Sequence, residues 1–186
     1  MTVDRRRKNG LVGHGAPVTA YARPGPAFGA DGAAALYRRE TLTACALGDE
    51  VLDEDLALWA SDADLAWRAQ LLGWRCAYEP LAVARHVRTY SPSTRSGLAE
   101  EQRRLQFRNR YLMCAKNETA SGLARDLHRI AFYELLALGH LLLRERHLLR
   151  AYAAAARGPP GALRRRRAVQ RRRRRDRPPF GLQPEA

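Results

Sequence analysis

Residues 52–86 read LDEDLALWASDADLAWRAQLLGWRCAYEPLAVARH, and the rest of the chain is organised around them. Three acids, Asp53, Glu54 and Asp55, open the stretch, and a second acidic pair, Asp62 and Asp64, follows. Ser61 reads as a helix N-cap, and Asp64, three residues on, stands where a capping box places an acid. Leu65, Ala69 and Leu72 recur at helical spacing. Gly73 suits the C′ position, because glycine takes the left-handed conformation freely. Residues two apart on a helix do not share a face. A capping Asp64 therefore leaves Asp62 pointing elsewhere, open to chemistry. The alternative is that both acids only complement the helix dipole. Past the glycine, residues 75–79 and 81–85 read as two short strands around Pro80. In the second, Leu81, Val83 and Arg85 alternate with Ala82, Ala84 and His86.

A chain of 186 residues is long enough for one domain with a real core. Lys and Arg number 33 against 19 Asp and Glu, a formal net charge of +14. The excess is concentrated: residues 164–177 hold ten Arg and one Asp. Such a basic tail seeks phosphate, on lipid or on nucleic acid. Cys45, Cys76 and Cys114 are widely spaced, with no C-x-x-C pair. That spacing argues against a structural zinc site and a disulfide framework, and for free thiols in a reducing compartment. The opening MTVDRRRKNG is not followed by the apolar segment of a signal peptide. No apolar run reaches the roughly 18 residues that span a bilayer.

Residues 1–26 are basic and then rich in Gly and Pro, the composition of an irregular loop. Arg5-Arg6-Arg7-Lys8 reads as a solvated charge run, and His14 as an exposed loop residue. The small residues at 27–35 follow, where Gly29 and Gly32 allow another group to approach the backbone closely. Residues 37–46 read as a helix, with Leu36 and Leu42 inward. Residues 98–118 read as another, with Leu105, Tyr111, Leu112 and Ala115 inward and Arg108 and Arg110 in surface salt bridges, contact with phosphate being the alternative. Residues 121–157 are strongly apolar and carry Arg125, Arg129, Arg144, Arg146 and Arg150. This is the profile of an interfacial amphipathic helix; the alternative is a helix packed on the domain or on another subunit. Gly158-Pro159-Pro160-Gly161 ends it. From Leu163 onward the composition is that of a disordered Arg-rich tail.

Several of these features together resemble one family. Residues 52–65 resemble the acidic segment of family 2 glycosyltransferases, and the match runs on through Trp67-Arg68, Gly73-Trp74, Tyr78-x-Pro80 and His86. Upstream, GAAALYRRE at 32–40 resembles the small-residue loop and following helix of that family. Downstream, Arg108-Asn109-Arg110 resembles its R-N element. The resemblance covers residues 27–118 and is closest to rhamnosyltransferase-like bacterial members. Ser61 is the departure, since the family has Glu before its catalytic Asp.

The resemblance implies an α/β fold, with residues 27–118 as the acceptor-side part of a GT-A nucleotide-diphospho-sugar transferase domain. An amphipathic helical region at 119–157 and an Arg-rich tail at 158–186 would follow. The implied reaction moves a sugar, with inversion, from a nucleotide-diphosphate donor to a hydroxyl of a glycan or lipid-linked acceptor, in cell-surface polysaccharide or glycolipid synthesis. Asp62 would be the general base. Asp31, Gly32, Asp53, Asp55, Asp64, Trp67 and Arg68 would line the acceptor or sugar. His86 would help hold the Mg²⁺ or Mn²⁺ that neutralises the leaving diphosphate. Residues 87–97 would form a lid.

The D-x-D segment that holds the metal in such enzymes is absent before residue 27. The expectation is therefore a fragment or split-gene partner, inactive alone, that works with a separately encoded N-terminal half. Its place would be cytoplasmic, peripheral to the inner face of the cell membrane, docked on anionic lipid. Two alternatives come from other classes. One is nucleic-acid binding through the tail, against which stand the lack of interleaved aromatics and of any recognised binding motif. The other is a non-catalytic membrane-surface protein.

Overall fold

The computed structural model describes residues 1–87 and 97–185. In chain order its elements are β1 (Thr2–Val3), β2 (Asn9–Gly10), β3 (Gly25–Ala27), α1 (Arg39–Cys45), α2 (Ser61–Leu71), β4 (Cys76–Tyr78), α3 (Glu100–Asn117), α4 (Ala120–Arg144), α5 (Leu149–Arg157) and α6 (Ala162–Arg172).

Helix α2 is buried on two sides, so the fold closes around it. Ala63, Ala66, Trp67 and Leu71 join Val3, Phe28, Met113, Val169 and Phe180 in the main core. Leu65 and Leu72 face a smaller cluster with Cys45, Leu42 and Trp74. The stripe expected from Leu65, Ala69 and Leu72 thus faces the lesser of two apolar contacts. The end of the helix follows the sequence. Gly73 has φ +90°, its N–H donates to Gln70 O at 3.2 Å, and Trp74 N–H donates to Ala69 O at 2.9 Å. That is a Schellman cap.

The start of the helix departs from expectation. Ser61 is already helical, Ala60 precedes it in the left-handed region (φ 69°), and no side chain caps it. Asp64 does not cap either, because its carboxylate is drawn inward by Lys116, Arg68 and Asn117.

The sheets are small. β1 pairs antiparallel with β2, and β3 with β4 in the register Gly25↔Tyr78, Ala27↔Cys76. The described residues contain no parallel pair of strands. The irregular segment expected at 1–26 thus holds two strands of a hairpin and the partner of β4. The first strand expected around Pro80 is present as β4, but the second is not: Leu81 is 88% and Val83 71% exposed. A strand needs a neighbour to satisfy its backbone, and the ladder with β3 ends at Tyr78. Leu36, expected inward, is 98% exposed and precedes the start of α1, whereas Leu42 packs as expected. The lid expected at 87–97 falls almost wholly outside the described residues.

Helix α3 turns a largely polar face inward. Asn109, Arg110, Leu112, Met113, Lys116 and Asn117 are buried, while Ala115 is exposed. The expectation of a purely apolar stripe fails because carboxylates and carbonyls on other elements meet these polar groups. The surface role expected for Arg110 fails for the same reason. Its guanidinium is buried and donates to Arg6 O at 2.7 Å and Glu134 Oε1 at 2.6 Å. Arg108, half-buried, donates to Asp55 O at 2.5 Å.

The charge run at 5–8 is not solvated as a whole. Arg7 is buried and donates to Glu118 Oε2 (2.5 Å), Asp126 Oδ2 (2.9 Å) and Gly122 O (3.0 Å).

The Arg-rich tail is folded, contrary to expectation. Helix α6 packs on α3 with Val169 buried. Beyond it, the N–H groups of Arg174 and Arg175 donate to Leu71 O, at 2.8 and 3.0 Å. They satisfy a carbonyl that the end of α2 leaves free. Phe180 then stacks on Phe28 (centroids 5.9 Å apart) and meets Trp67 edge-on at 4.9 Å. The Arg7 guanidinium lies 3.8 Å from the Phe180 ring centroid. The apolar stretch from 120 forms α4, of which only Gly122, Asp126 and Leu141 are buried. No helix among the described residues is long and apolar enough to cross a membrane.

Candidate functional site

The first turn of α2 faces the small-residue loop that follows β3. Asp62, half-buried, accepts the Gly32 N–H at 3.1 Å through Oδ2 and the Ala63 N–H at 2.7 Å through Oδ1. A carboxylate at a helix N-terminus also gains from the dipole. The approach is close: a Cβ at 32 would stand 3.3 Å from Asp62 Cβ and 3.5 Å from Oδ2, so a larger residue there would have to displace the Asp62 side chain by a few tenths of an ångström. Asp31 shapes the loop by accepting the Ala33 N–H at 2.9 Å. Gly29, at the foot of the loop, has no room for a Cβ, which would fall 2.2 Å from Ala66 Cβ.

Tyr37 flanks this lip. Burial first, then the negative charges of Cys76 and Asp62, push its hydroxyl up to about 12. Burial likewise pushes the Cys76 thiol up. Near neutral pH both groups keep their protons.

The other expected acids form a separate, internal charge network. Asp64 is fully buried between Arg68 Nε (2.9 Å), Lys116 Nζ (2.8 Å) and Asn117 Nδ2 (2.7 Å). Burial works to raise its carboxyl, but the charges of Lys116 and Arg68 prevail and hold it below the usual carboxylate range. Asp53 is buried too. It contacts Lys116 and accepts the Asp55 N–H at 3.1 Å, capping the turn Glu54–Leu56. Asp55 pairs with Arg165 of α6, which also reaches Glu50 at 3.0 Å. Arg68 spends its guanidinium on Asp64, Cys45 O and Val51 O. Trp67 is fully buried in the main core.

The structure therefore divides the sequence candidates. It brings Asp31, Gly32 and Asp62 together at one exposed lip. Asp53, Asp64, Trp67 and Arg68 lie inside the protein, out of reach of an acceptor sugar, and Asp55 is tied to Arg165. Their expected acceptor-binding role is corrected on that ground: solvent does not reach the buried four, and their polar atoms hold the protein together.

His86 is exposed. Among the described residues no group of three His, Cys, Asp or Glu side chains is placed to hold a metal ion. A divalent cation takes several oxygen ligands, so these residues do not fit the Mg²⁺ or Mn²⁺ implied by the resemblance, and no step is derived through one.

Lys116, Asn117 and Arg165 escaped the sequence reading. One signal was present for the first. Lys116 is one of two lysines in a chain with 33 basic residues, and a compact ammonium suits a position between two carboxylates better than a guanidinium fork.

Comparison of the chain with protein-family models, with curated proteins and with solved structures gave no match in any of the three.

Proposed function

We propose that the lip formed by Asp62 and the Gly32 loop is the acceptor side of a sugar-transferring site of the family 2 type. The single observation that supports this is the Asp62–Gly32 contact. It joins the two sequence segments that the resemblance assigns to one pocket, although they lie 30 residues apart. Asp62 is half-buried, not encased, so one oxygen can exchange the Gly32 N–H for an acceptor hydroxyl. As general base it would take the hydroxyl proton as the oxygen attacks the anomeric carbon. Asp31, in the same loop, would be the second carboxylate near the acceptor.

The nucleic-acid alternative draws less support. Arg165, Arg166, Arg172 and Arg175 of the basic tail are engaged with carboxylates and carbonyls of the same chain.

Saturation-transfer NMR of the purified chain with a set of methyl glycosides tests the acceptor-side reading. Binding should appear and should be lost in Asp62→Ala, with the circular dichroism spectrum unchanged. Equal signals from both proteins would reject the site. In calorimetry with nucleoside diphosphates and Mn²⁺, the purified chain should give no tight, metal-dependent binding. Such binding would overturn the assignment of this chain to the acceptor side.

A further inference from the structure

The outer face of α4 is apolar. On its solvent side, Leu127, Leu135 and Leu142 recur every seven or eight residues, about two helix turns, and Phe132, Leu136 and Leu143 lie beside them. All six are exposed, Leu143 to 80%. A surface helix normally turns its apolar stripe to the core, and this one does the reverse. A groove of about 760 Å³ between α3, α4 and α5 adjoins the face through Leu135, lined by Ile130, Leu138 and Tyr152 among others.

The charges around the face indicate what covers it. Residues 120–157 contain three carboxylates, Asp126, Glu134 and Glu145. Each is held within the protein, by Arg5 and Arg7, by Arg110, and by Arg103 respectively. Arg129, Arg144, Arg146 and Arg150 are exposed. Among the described residues none of the four forms an ion pair with a carboxylate. The region therefore presents leucines bordered by uncompensated positive charge.

We propose that this face docks on an anionic lipid surface. The acyl region takes Leu and Phe side chains while headgroup phosphates take the guanidinium groups. The helix lies along the surface, since no helix among the described residues is long and apolar enough to cross it. A second copy of the chain fits the face less well. A two-fold pairing sets each patch against itself, which brings arginines together with no carboxylate to meet them. The inference uses neither Asp62 nor Gly32 and stands independently of the sugar-transfer reading.

Co-sedimentation of the whole chain with vesicles tests it. Vesicles of phosphatidylcholine mixed with phosphatidylglycerol should bind the chain, vesicles of phosphatidylcholine alone should bind it far less, and added salt should release it. Replacing three arginines together (Arg129→Gln, Arg144→Gln, Arg150→Gln) should weaken partitioning by about 100-fold. Leu136→Ser with Leu143→Ser, both outside the core, should abolish it without changing the circular dichroism spectrum. Equal binding to both vesicle types, or binding to neither, overturns the proposal. So does a dimer that is lost in the Leu136→Ser, Leu143→Ser variant and accompanied by no vesicle binding, which would assign the face to a second copy.

Discussion

Lys116 Nζ lies 2.8 Å from Asp64 Oδ1 and also contacts Asp53, so one ammonium sits between two buried carboxylates, each of which meets an arginine as well, Arg68 at Asp64 and Arg165 at Asp53. The two acids come from the turn before α2 and from α2 itself, and the lysine comes from α3. Three segments are thereby locked together at one atom.

Lys116→Met should destabilise the protein by about 3 kcal/mol, because it removes a buried positive charge shared by two buried carboxylates and leaves each with only its arginine. Guanidinium unfolding of the two proteins measures the difference. Adding Asp64→Asn to the variant should recover part of the loss, since the remaining neutral amide no longer demands a cation. A single-variant effect below about 1 kcal/mol would mean that the pair behaves like a surface salt bridge.

Acid should unfold the protein through two carboxylates. In Asp64, burial works upward and the charges of Lys116 and Arg68 outweigh it; in Asp126, burial is outweighed by hydrogen bonds from Arg125, Arg7 and Arg5. Both folded-state values lie below the ordinary value of about 3.9. A depressed carboxyl contributes stability that is complete above the unfolded value and is lost as pH falls through the folded one. Melting temperature should therefore show no loss from these two groups down to about pH 5 and should fall below about pH 4. Asp126→Asn should flatten part of that fall.

Two glycines should respond oppositely to alanine. At Gly29 a Cβ would fall 2.2 Å from Ala66 Cβ inside the packed junction of loop and α2. Overpacking of this kind costs about 1–3 kcal/mol. At Gly10 a Cβ meets nothing within 4 Å, and φ there is not positive. Gly10→Ala should be neutral or slightly stabilising, through the unfolded chain. Thermal melts of the two variants side by side give the comparison.

Phe180→Ala should cost about 3 kcal/mol, the low end for a buried phenylalanine. The ring fills space beside Phe28 and Trp67 and carries Arg7 on its face. Denaturant titration measures the loss. Tryptophan emission should also move to the red as water reaches Trp67. An unchanged midpoint would show that the segment past α6 contributes nothing to the core.

The helices were legible wherever a local signal set their limits. Gly73 ended α2 as read, because its left-handed backbone is a property of that one residue. The start of α2 was misread because Asp64 obeys Lys116, 52 positions ahead in the chain, and local spacing carries no trace of that partner. The inward face of α3 failed for a related reason: apolar periodicity cannot find a face built from Asn109, Lys116 and Asn117. The tail looked disordered by composition, yet Glu50, Asp53 and Asp55 give Arg165 a defined seat. Of the candidate site, the resemblance named Asp62 and Gly32 separately; the hydrogen bond between them and the burial of Asp53, Asp64, Trp67 and Arg68 depend on partners far away in the chain, which local spacing does not carry.

The reach of Arg165 back to Glu50, across 115 residues, constrains when the protein can finish folding during its synthesis. A ribosome adds about 5–20 residues per second, so Glu50 is made roughly 6–23 s before its arginine partner. Over that interval Glu50 and Asp55 stay hydrated, and the floor beneath α2 lacks Val169 and Phe180. The nascent chain thus holds an open, partly apolar surface until residues 165–180 leave the exit tunnel. A chaperone that shields the growing chain would matter most in that window, and slowing translation late in the message should lengthen the exposure.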